Sequence, residues 1–324
     1  MAEWLYEAGI GENRAILVEN GAIVEAAIEL PATLRAGSVA DGRLTTILVP
    51  GRRGMVALGC EEALLEPLPA ALTEGAAVRV EILREAIPEP GRAKLAKCRH
   101  SDAVLGPGPA LADRLRASET PAHGPDLFEA AGWSELLEEA ATGDIAFAGG
   151  GLRMSLTPAM TLFDVDGALA PATLAQAGAQ AAARAIRRFG IGGSIGIDLP
   201  TLPAKADRQA AAAALDAALP QPFERTAVNG FGFVQLVRRR VRASIPELLQ
   251  ADPEGAAARA LLRGAERASG SGTRTLCAAP AVSARLRQNP AWLDALARRT
   301  GTMVGLRAEP GLAISAAYVH CEHP

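Results

Sequence analysis

Two aspartates close two short apolar strands, Asp164 in TLFDVDG and Asp198 in SIGIDLP, and an alanine-rich helical run connects them. The order strand, helix, strand favours a right-handed crossover and a parallel pairing, which brings both carboxylates to the C-terminal edge of one sheet. Two hard oxygen ligands meeting at a strand end, without a cage of further ligands, suit a Mg²⁺ that must also hold phosphate and water. Asp166 stands two positions beyond Asp164 and is a third metal candidate, direct or through water. Taken singly, an aspartate at a strand end is often only a turn former or helix cap. The pairing is what points to chemistry.

A cationic run follows. FGFVQLV alternates as a strand and leads into Arg238, Arg239, Arg240 and Arg242. Guanidinium presents a planar fork of donors that matches phosphate oxygens, so these four arginines, expected beside the carboxylates, are candidates for holding a scissile phosphate. Arg52 and Arg53, in the turn PGRRG, are further candidate phosphate contacts, although a solvated turn also accounts for them.

The elements that must position these groups are legible in outline. Residues 13–30 place Asn20-Gly21 between two apolar runs, the strongest local signal for a β-hairpin. Between Gly37 and Arg99, short β-like runs separated by Gly and Pro predict a small antiparallel barrel. No Phe, Tyr or Trp lies between Tyr6 and Phe128, so this barrel lacks the aromatic platforms on which single-strand binders stack bases. Residues 100–127 read as a Pro/Gly-rich linker and 128–141 as a helix with Trp133, Leu136 and Leu137 near its apolar face.

Gly149-Gly150-Gly151 opens a half-buried strand in which Leu152, Met154 and Leu156 alternate with Arg153, Ser155 and Thr157. The glycines lack the context of a phosphate-binding loop and fit the start of a hairpin strand better. The helix from Thr173 to Phe189 ends on Arg187-Arg188 and is stopped by Gly190, Gly192 and Gly193; a second helix is expected over 205–218. The tail from 255 reads as helix, strand TRTLCAA, two helices split at Asn289-Pro290, then strands over 302–308 and 312–319.

The succession Gly-Gly, strand, Thr-x-Ala-Met turn, Asp-Val-Asp-Gly, helix, Gly-Gly, Ile-Asp, then NGFGFVQLVRRR at 229–240, resembles the bacterial ribonuclease E/G family. The order and spacing carry the resemblance over most of 143–245. It implies that Asp164 and Asp198 are the metal-binding catalytic pair, with Asp166 where the family usually has asparagine. It also implies a multidomain α/β (α+β) chain. Residues 1–36 would be a hairpin of a split ribonuclease-H-like unit and 37–99 an inserted OB-type RNA-binding barrel. Residues 100–142 would be a reduced 5′-end sensor region, 143–245 the catalytic α/β domain, and 246–324 a small α/β unit. The implied reaction is Mg²⁺-dependent cleavage of single-stranded RNA to 5′-phosphate and 3′-hydroxyl ends. The CPxC pair through which larger members share zinc between subunits is missing, so a homo-oligomer would be held by packing without shared zinc. His320, Cys321, Glu322 and His323 are metal-capable but terminal, and are not expected to bind zinc. The rival reading is a catalytically weak or inactive RNA-binding homologue, favoured by the lost aromatics, the shortened sensor and the net charge.

The totals set outer bounds. At 324 residues with 49% hydrophobic and 21% charged residues, two or three units with ample core are expected. The net charge of −3 provides no global attraction to a polyanion, so RNA would have to be drawn by local patches. The scattered Cys60, Cys98, Cys277 and Cys321 form no CxxC pair and fit a reducing cytoplasm. The acidic start MAEWLYEAG does not resemble a secretory signal, and no apolar run is long enough to span a membrane, so a cytoplasmic location is expected.

Overall fold

The structure is a computed structural model and describes residues 3–31, 34–89, 93–120, 124–270 and 272–321. It opens with β1 (Glu3–Ala8), β2 (Asn13–Glu19) and β3 (Ala22–Glu29), paired antiparallel in sequence order. Asn20 (φ 52°) and Gly21 (φ 78°) both adopt left-handed backbone, the geometry of a two-residue turn whose twist matches its flanking strands. The expected hairpin is therefore present, with β1 as an added neighbour.

Five strands follow, β4 (Val39–Val49), β5 (Arg53–Leu58), β6 (Glu61–Leu65), β7 (Ala77–Arg84) and β8 (Ala96–His100), closed into a barrel in the order β4-β5-β6-β8-β7. Alternation drives the closure: Val78, Val80 and Ile82 of β7 point inward onto Leu44, Val56, Leu65 and Cys98. Register shifts in β4 at Leu44/Thr46 and Ile47/Val49 let the strand curve.

The stretch 100–127 is not a free linker. It contains α1 (Leu111–Leu115), with Leu111 fully buried, and β9 (Ser118–Glu119), which pairs parallel to β1 and completes a sheet in the order β3-β2-β1-β9. The barrel is thus inserted between strands of one sheet. Pro and Gly hide this from periodicity but permit close approach: a Cβ on Gly108 would lie 2.4 Å from the Ala36 carbonyl, and Gly108 N–H donates to Ser38 Oγ at 2.8 Å. The single helix expected next is two, α2 (Leu127–Ala130) and α3 (Trp133–Thr142), broken at Gly132, where φ is +94°.

The central sheet has six strands: β10 (Asp144–Phe147), β11 (Gly150–Leu156), β12 (Thr161–Gly167), β13 (Gly193–Asp198), β14 (Glu224–Arg225) and β15 (Phe233–Arg238), in the order β10-β11-β12-β13-β15-β14. Two helices cross over, α4 (Pro171–Arg188) between β12 and β13 and α5 (Lys205–Ala218) after β13. Leu152, Met154, Phe163, Val165, Ile195, Ile197, Val234 and Leu236 form one apolar face with Ala175, Ala179, Ala182 and Ile186 of α4. Gly178 lets α4 sit close, since a Cβ there would come within 2.4 Å of Val165 Cγ1. The intervening residues of these strands face the other way.

Among the described residues α6 (Ile245–Ala251), α7 (Pro253–Arg267), β16 (Arg274–Ala278), α8 (Pro280–Gln288), α9 (Pro290–Thr300), β17 (Val304–Ala308) and β18 (Tyr318–Cys321) follow, the strands ordered β17-β16-β18. The strand expected over 312–319 is instead a 3-10 turn, Ile314–Ala316, followed by β18, because Ile314 packs inward on the α7 cluster. Helix α7 is tied to the first sheet by buried charge. Arg259 reaches Glu12 at 2.9 Å, Arg263 reaches Glu7 at 3.1 Å and Asp126 at 2.6 Å, Arg267 reaches Glu7 at 3.0 Å, and Arg14 pairs with both Glu7 and Glu12. The fold is mixed α/β with one closed barrel, and no helix among the described residues is long and apolar enough to cross a membrane.

Candidate functional site

Strands β12 and β13 run parallel, and their register ends on the pair Asp164↔Asp198. Laterally paired residues on adjacent strands lie about 4.8 Å apart and project to the same side. The two expected carboxylates are therefore neighbours. Asp198 is at the C-terminal end of β13, but Asp164 is not at the expected strand end: it lies in the middle of β12, which continues to Gly167 because it stays paired with β11. Their local sequences dictate the direction: Phe163, Val165 and Ile197 are buried against α4, so Asp164, Asp166 and Asp198 stand on the exposed face. The row continues across the sheet, since Arg153 is opposite Asp164, Asp144 is opposite Arg153, and Phe233 is opposite Asp198.

Among the described residues no side chain forms a hydrogen bond or ion pair with Asp164, Asp166 or Asp198. Arg153, the nearest cation by register, makes a loose exposed pair with Asp144 at 3.4 Å. Two unpaired carboxylates side by side repel each other, and a divalent cation between them would relieve that repulsion. The open surroundings leave room for water and a phosphate, which suits a cation that dehydrates reluctantly. Asp166 does not complete the site. It lies on the same face about 6.6 Å further along β12, opposite Gly151, and no group of three or more His, Cys, Asp or Glu side chains is gathered for a metal among the described residues. Asp164 and Asp198 are the adjacent oxygen donors that a hard divalent cation would use, with its other positions left to water.

The arginine run does not adjoin this pair. Strand β15 is antiparallel to β13, with Phe233 against Asp198 and Arg238 against Gly193, so the run begins about 16 Å away at the other end of the strand. Most of it is engaged. Arg238 donates to the Ile191 carbonyl at 3.3 Å, and burial lowers its pKa, with the Glu25 charge opposing. Arg240 pairs with Glu247 and lies 3.9 Å from Glu89, and Arg242 is 3.7 Å from Glu85. Arg239 is exposed and has no partner among the described residues.

In the barrel turn, Arg53 is forked onto Glu66 at 3.2 Å to both oxygens, whereas Arg52 is exposed. Arg240 turns toward the barrel. With Arg84, Lys94, Lys97, Glu66 and Ser194 it lines a cleft of about 560 Å³ between the barrel and the start of β13. Burial, followed by the nearby Arg240 charge, lowers the pKa of Arg84. In the terminal strand, His320 and Cys321 belong to β18, while Glu322 and His323 lie outside the described residues.

Sequence reasoning missed two neighbours of the carboxylates. Arg153 was visible as a solvent-facing residue of its strand, but only the β11/β12 register sets it beside Asp164. Phe233 was read as part of an alternating strand, and only the β13/β15 register sets it beside Asp198, with its ring where a Gly196 Cβ would be. No known protein family matches the chain, and no curated protein matches it either.

Proposed function

We propose that this protein is a Mg²⁺-dependent endoribonuclease of ribonuclease E/G type, cleaving single-stranded RNA to 5′-phosphate and 3′-hydroxyl ends. One observation carries the reading: Asp164 and Asp198 are direct lateral partners where the pairing of two parallel strands ends, exposed and unpaired. Under the same reading the inserted barrel is the OB-type module, and its insertion between strands of the first sheet agrees with the split unit that the resemblance implies.

Asp164 and Asp198 would hold the cation, which when bound activates water and neutralises charge on the reacting phosphate. The sheet fixes the two carboxylates through six strands and a close-packed helix, so their spacing is set before substrate arrives. Arg153 is placed to draw a phosphate toward the pair from the β11 side. Of the arginine run, Arg240 would act at a distance, with Arg84, Lys94 and Lys97 guiding the strand along the barrel cleft. That separation also favours the second reading, a weak or inactive RNA-binding homologue.

The deciding experiment incubates purified protein with 5′-labelled single-stranded RNA, with Mg²⁺ and with chelator. Chelator-sensitive cleavage leaving 3′-hydroxyl ends supports the enzyme. Binding without cleavage moves the conclusion to the homologue.

A further inference from the structure

Phe231 is 81% exposed, whereas Phe128, Phe163 and Phe189 are fully buried. A phenyl ring left in water forgoes a large apolar contribution, and single exposed apolar residues are otherwise unremarkable. This one is held on a rigid turn. Asn229 Oδ1 accepts from the N–H groups of both Phe231 and Phe233 at 3.0 Å, Asn229 N–H donates to the Phe233 carbonyl at 3.0 Å, and Gly232 N–H donates to the Asn229 carbonyl at 3.1 Å.

The turn is also pressed against the residues that follow Asp198. Gly232 has φ +94°, and a Cβ there would fall 2.2 Å from the Leu199 carbonyl oxygen and 2.6 Å from that of Pro200; Leu199 N–H in turn donates to the Gly232 carbonyl at 3.3 Å. The backbone that carries the ring is therefore fixed against the residues that follow Asp198, two positions before Phe233, which is paired with that aspartate, and so has little freedom left to lose on binding. Phe233, half-buried and directly opposite Asp198, lies over Gly196 toward Leu162 and continues an apolar floor up to the acids.

We infer that Phe231 is the platform on which an unpaired nucleobase of the bound strand stacks, next to the phosphate that a cation at Asp164 and Asp198 would hold. This rests on the proposed nuclease reading and deepens it. Aromatic stacking accepts any base, because every base has a π-face, but it requires a base not already stacked in a duplex. Selection for single strands would then reside at the carboxylates themselves. It would not depend on the barrel, which has no aromatic residue between Tyr6 and Phe128.

The test is fluorescence anisotropy of a labelled single-stranded RNA oligonucleotide, with Ca²⁺ in place of Mg²⁺ to hold the phosphate and slow cleavage, for the unaltered chain, Phe231→Ala and Phe231→Trp. Phe231→Ala should weaken binding about 5- to 100-fold, leave the thermal melt unchanged and reduce the preference for single over double strands. Phe231→Trp should restore binding, and its added indole fluorescence should be quenched by RNA but not by an oligonucleotide with abasic sites throughout. Equal affinity of Phe231→Ala and the unaltered chain overturns the platform while leaving the nuclease reading standing. Unchanged affinity with a reduced mass in light scattering assigns the ring to self-association and overturns it as well. Failure of the unaltered chain to bind or cleave any single-stranded RNA overturns the nuclease reading, and the platform with it.

Discussion

Two groups of charged residues in this molecule are built in opposite ways. Around Glu7, the carboxylates of Glu7 and Glu12 are buried and each faces at least two guanidiniums, from Arg14, Arg259, Arg263 and Arg267. On the central sheet, Asp164 and Asp198 are exposed, adjacent and without partners among the described residues. The first group spends its charge inside the fold, joining the N-terminal sheet to α7. The second keeps its charge available. Burial with complete pairing marks a structural ion cluster, because an unpaired buried charge is too costly to keep. Exposure without pairing on a rigid sheet marks charge that a ligand can use.

The sharpest way to break that contrast is to remove charge from each group in turn. Glu7→Gln keeps the volume but leaves three guanidiniums around a neutral amide in a buried setting. It should destabilise the protein by about 3–5 kcal/mol, read in a urea or thermal melt, and leave cleavage by the folded fraction unchanged. Asp164→Asn and Asp198→Asn should do the reverse. Each should lower the single-turnover rate about 100-fold or more, as is typical when one electrostatic partner of a reaction is lost, with no loss of stability. The double variant should be scarcely worse than either single one if the two act as a unit. A melt lowered by either aspartate substitution, or a rate shifted by Glu7→Gln at temperatures where it is folded, would erase the distinction.

Acid should separate the same two groups. Burial raises the pKa of Glu7, but the charges of Arg14, Arg263 and Arg267 outweigh it and hold the carboxyl below its usual value; Asp126 is likewise raised by burial and lowered more by its hydrogen bonds and charges from Arg263 and Arg267. A carboxylate whose folded pKa is depressed stabilises the fold above its unfolded pKa and loses that contribution as pH falls through the folded value. Stability should therefore decline as pH drops below about 4. In Glu7→Gln the decline should be shallower. A Glu7→Gln melt with the same acid dependence as the unaltered chain would show that the cluster does not titrate as described.

What could be read from residues alone follows the reach of each signal. The Asn20-Gly21 turn, the barrel's alternation and the strand–helix–strand unit ending in Asp198 are local patterns, and the structure contains all three. The parallel register that joins Asp164 to Asp198 also followed, because a crossover helix leaves few alternatives. Features that depend on a return strand did not. Arg238, Arg239, Arg240 and Arg242 are expected close to the acids because the strand that leads into them is close, yet its antiparallel direction puts Phe233 at the acids and the arginines at the far end, with Arg240 in the barrel cleft. Gly132 was invisible as a break since its effect is a backbone angle, and the run 100–127 carried no period although Leu111 is fully buried. The ion cluster was equally hidden, because Glu7 and Arg263 are brought together only by tertiary packing.

Arg153 offers the smallest effect and the finest discrimination. It is 75% exposed, in lateral register with Asp164, and pairs only loosely with Asp144. Surface pairs of this kind contribute little to stability, so Arg153→Ala should melt with the unaltered protein. At the site, however, its charge acts in two directions. It opposes a cation at Asp164 and attracts a phosphate to the same place, so its removal should shift the two ligands oppositely. The Mg²⁺ concentration for half-maximal cleavage should fall about 2-fold while the KM for RNA rises about 3- to 5-fold, the size expected of one exposed charge in water. Both shifts should shrink as salt is raised, and Arg153→Lys should restore the Mg²⁺ midpoint more fully than the KM, because lysine replaces the charge but not the fork of donors. If both ligands weaken together in Arg153→Ala, the residue supports the strand and does not act on charge at the carboxylates. If neither moves, the row across the sheet begins at Asp164, and the β11 side takes no part in holding the phosphate.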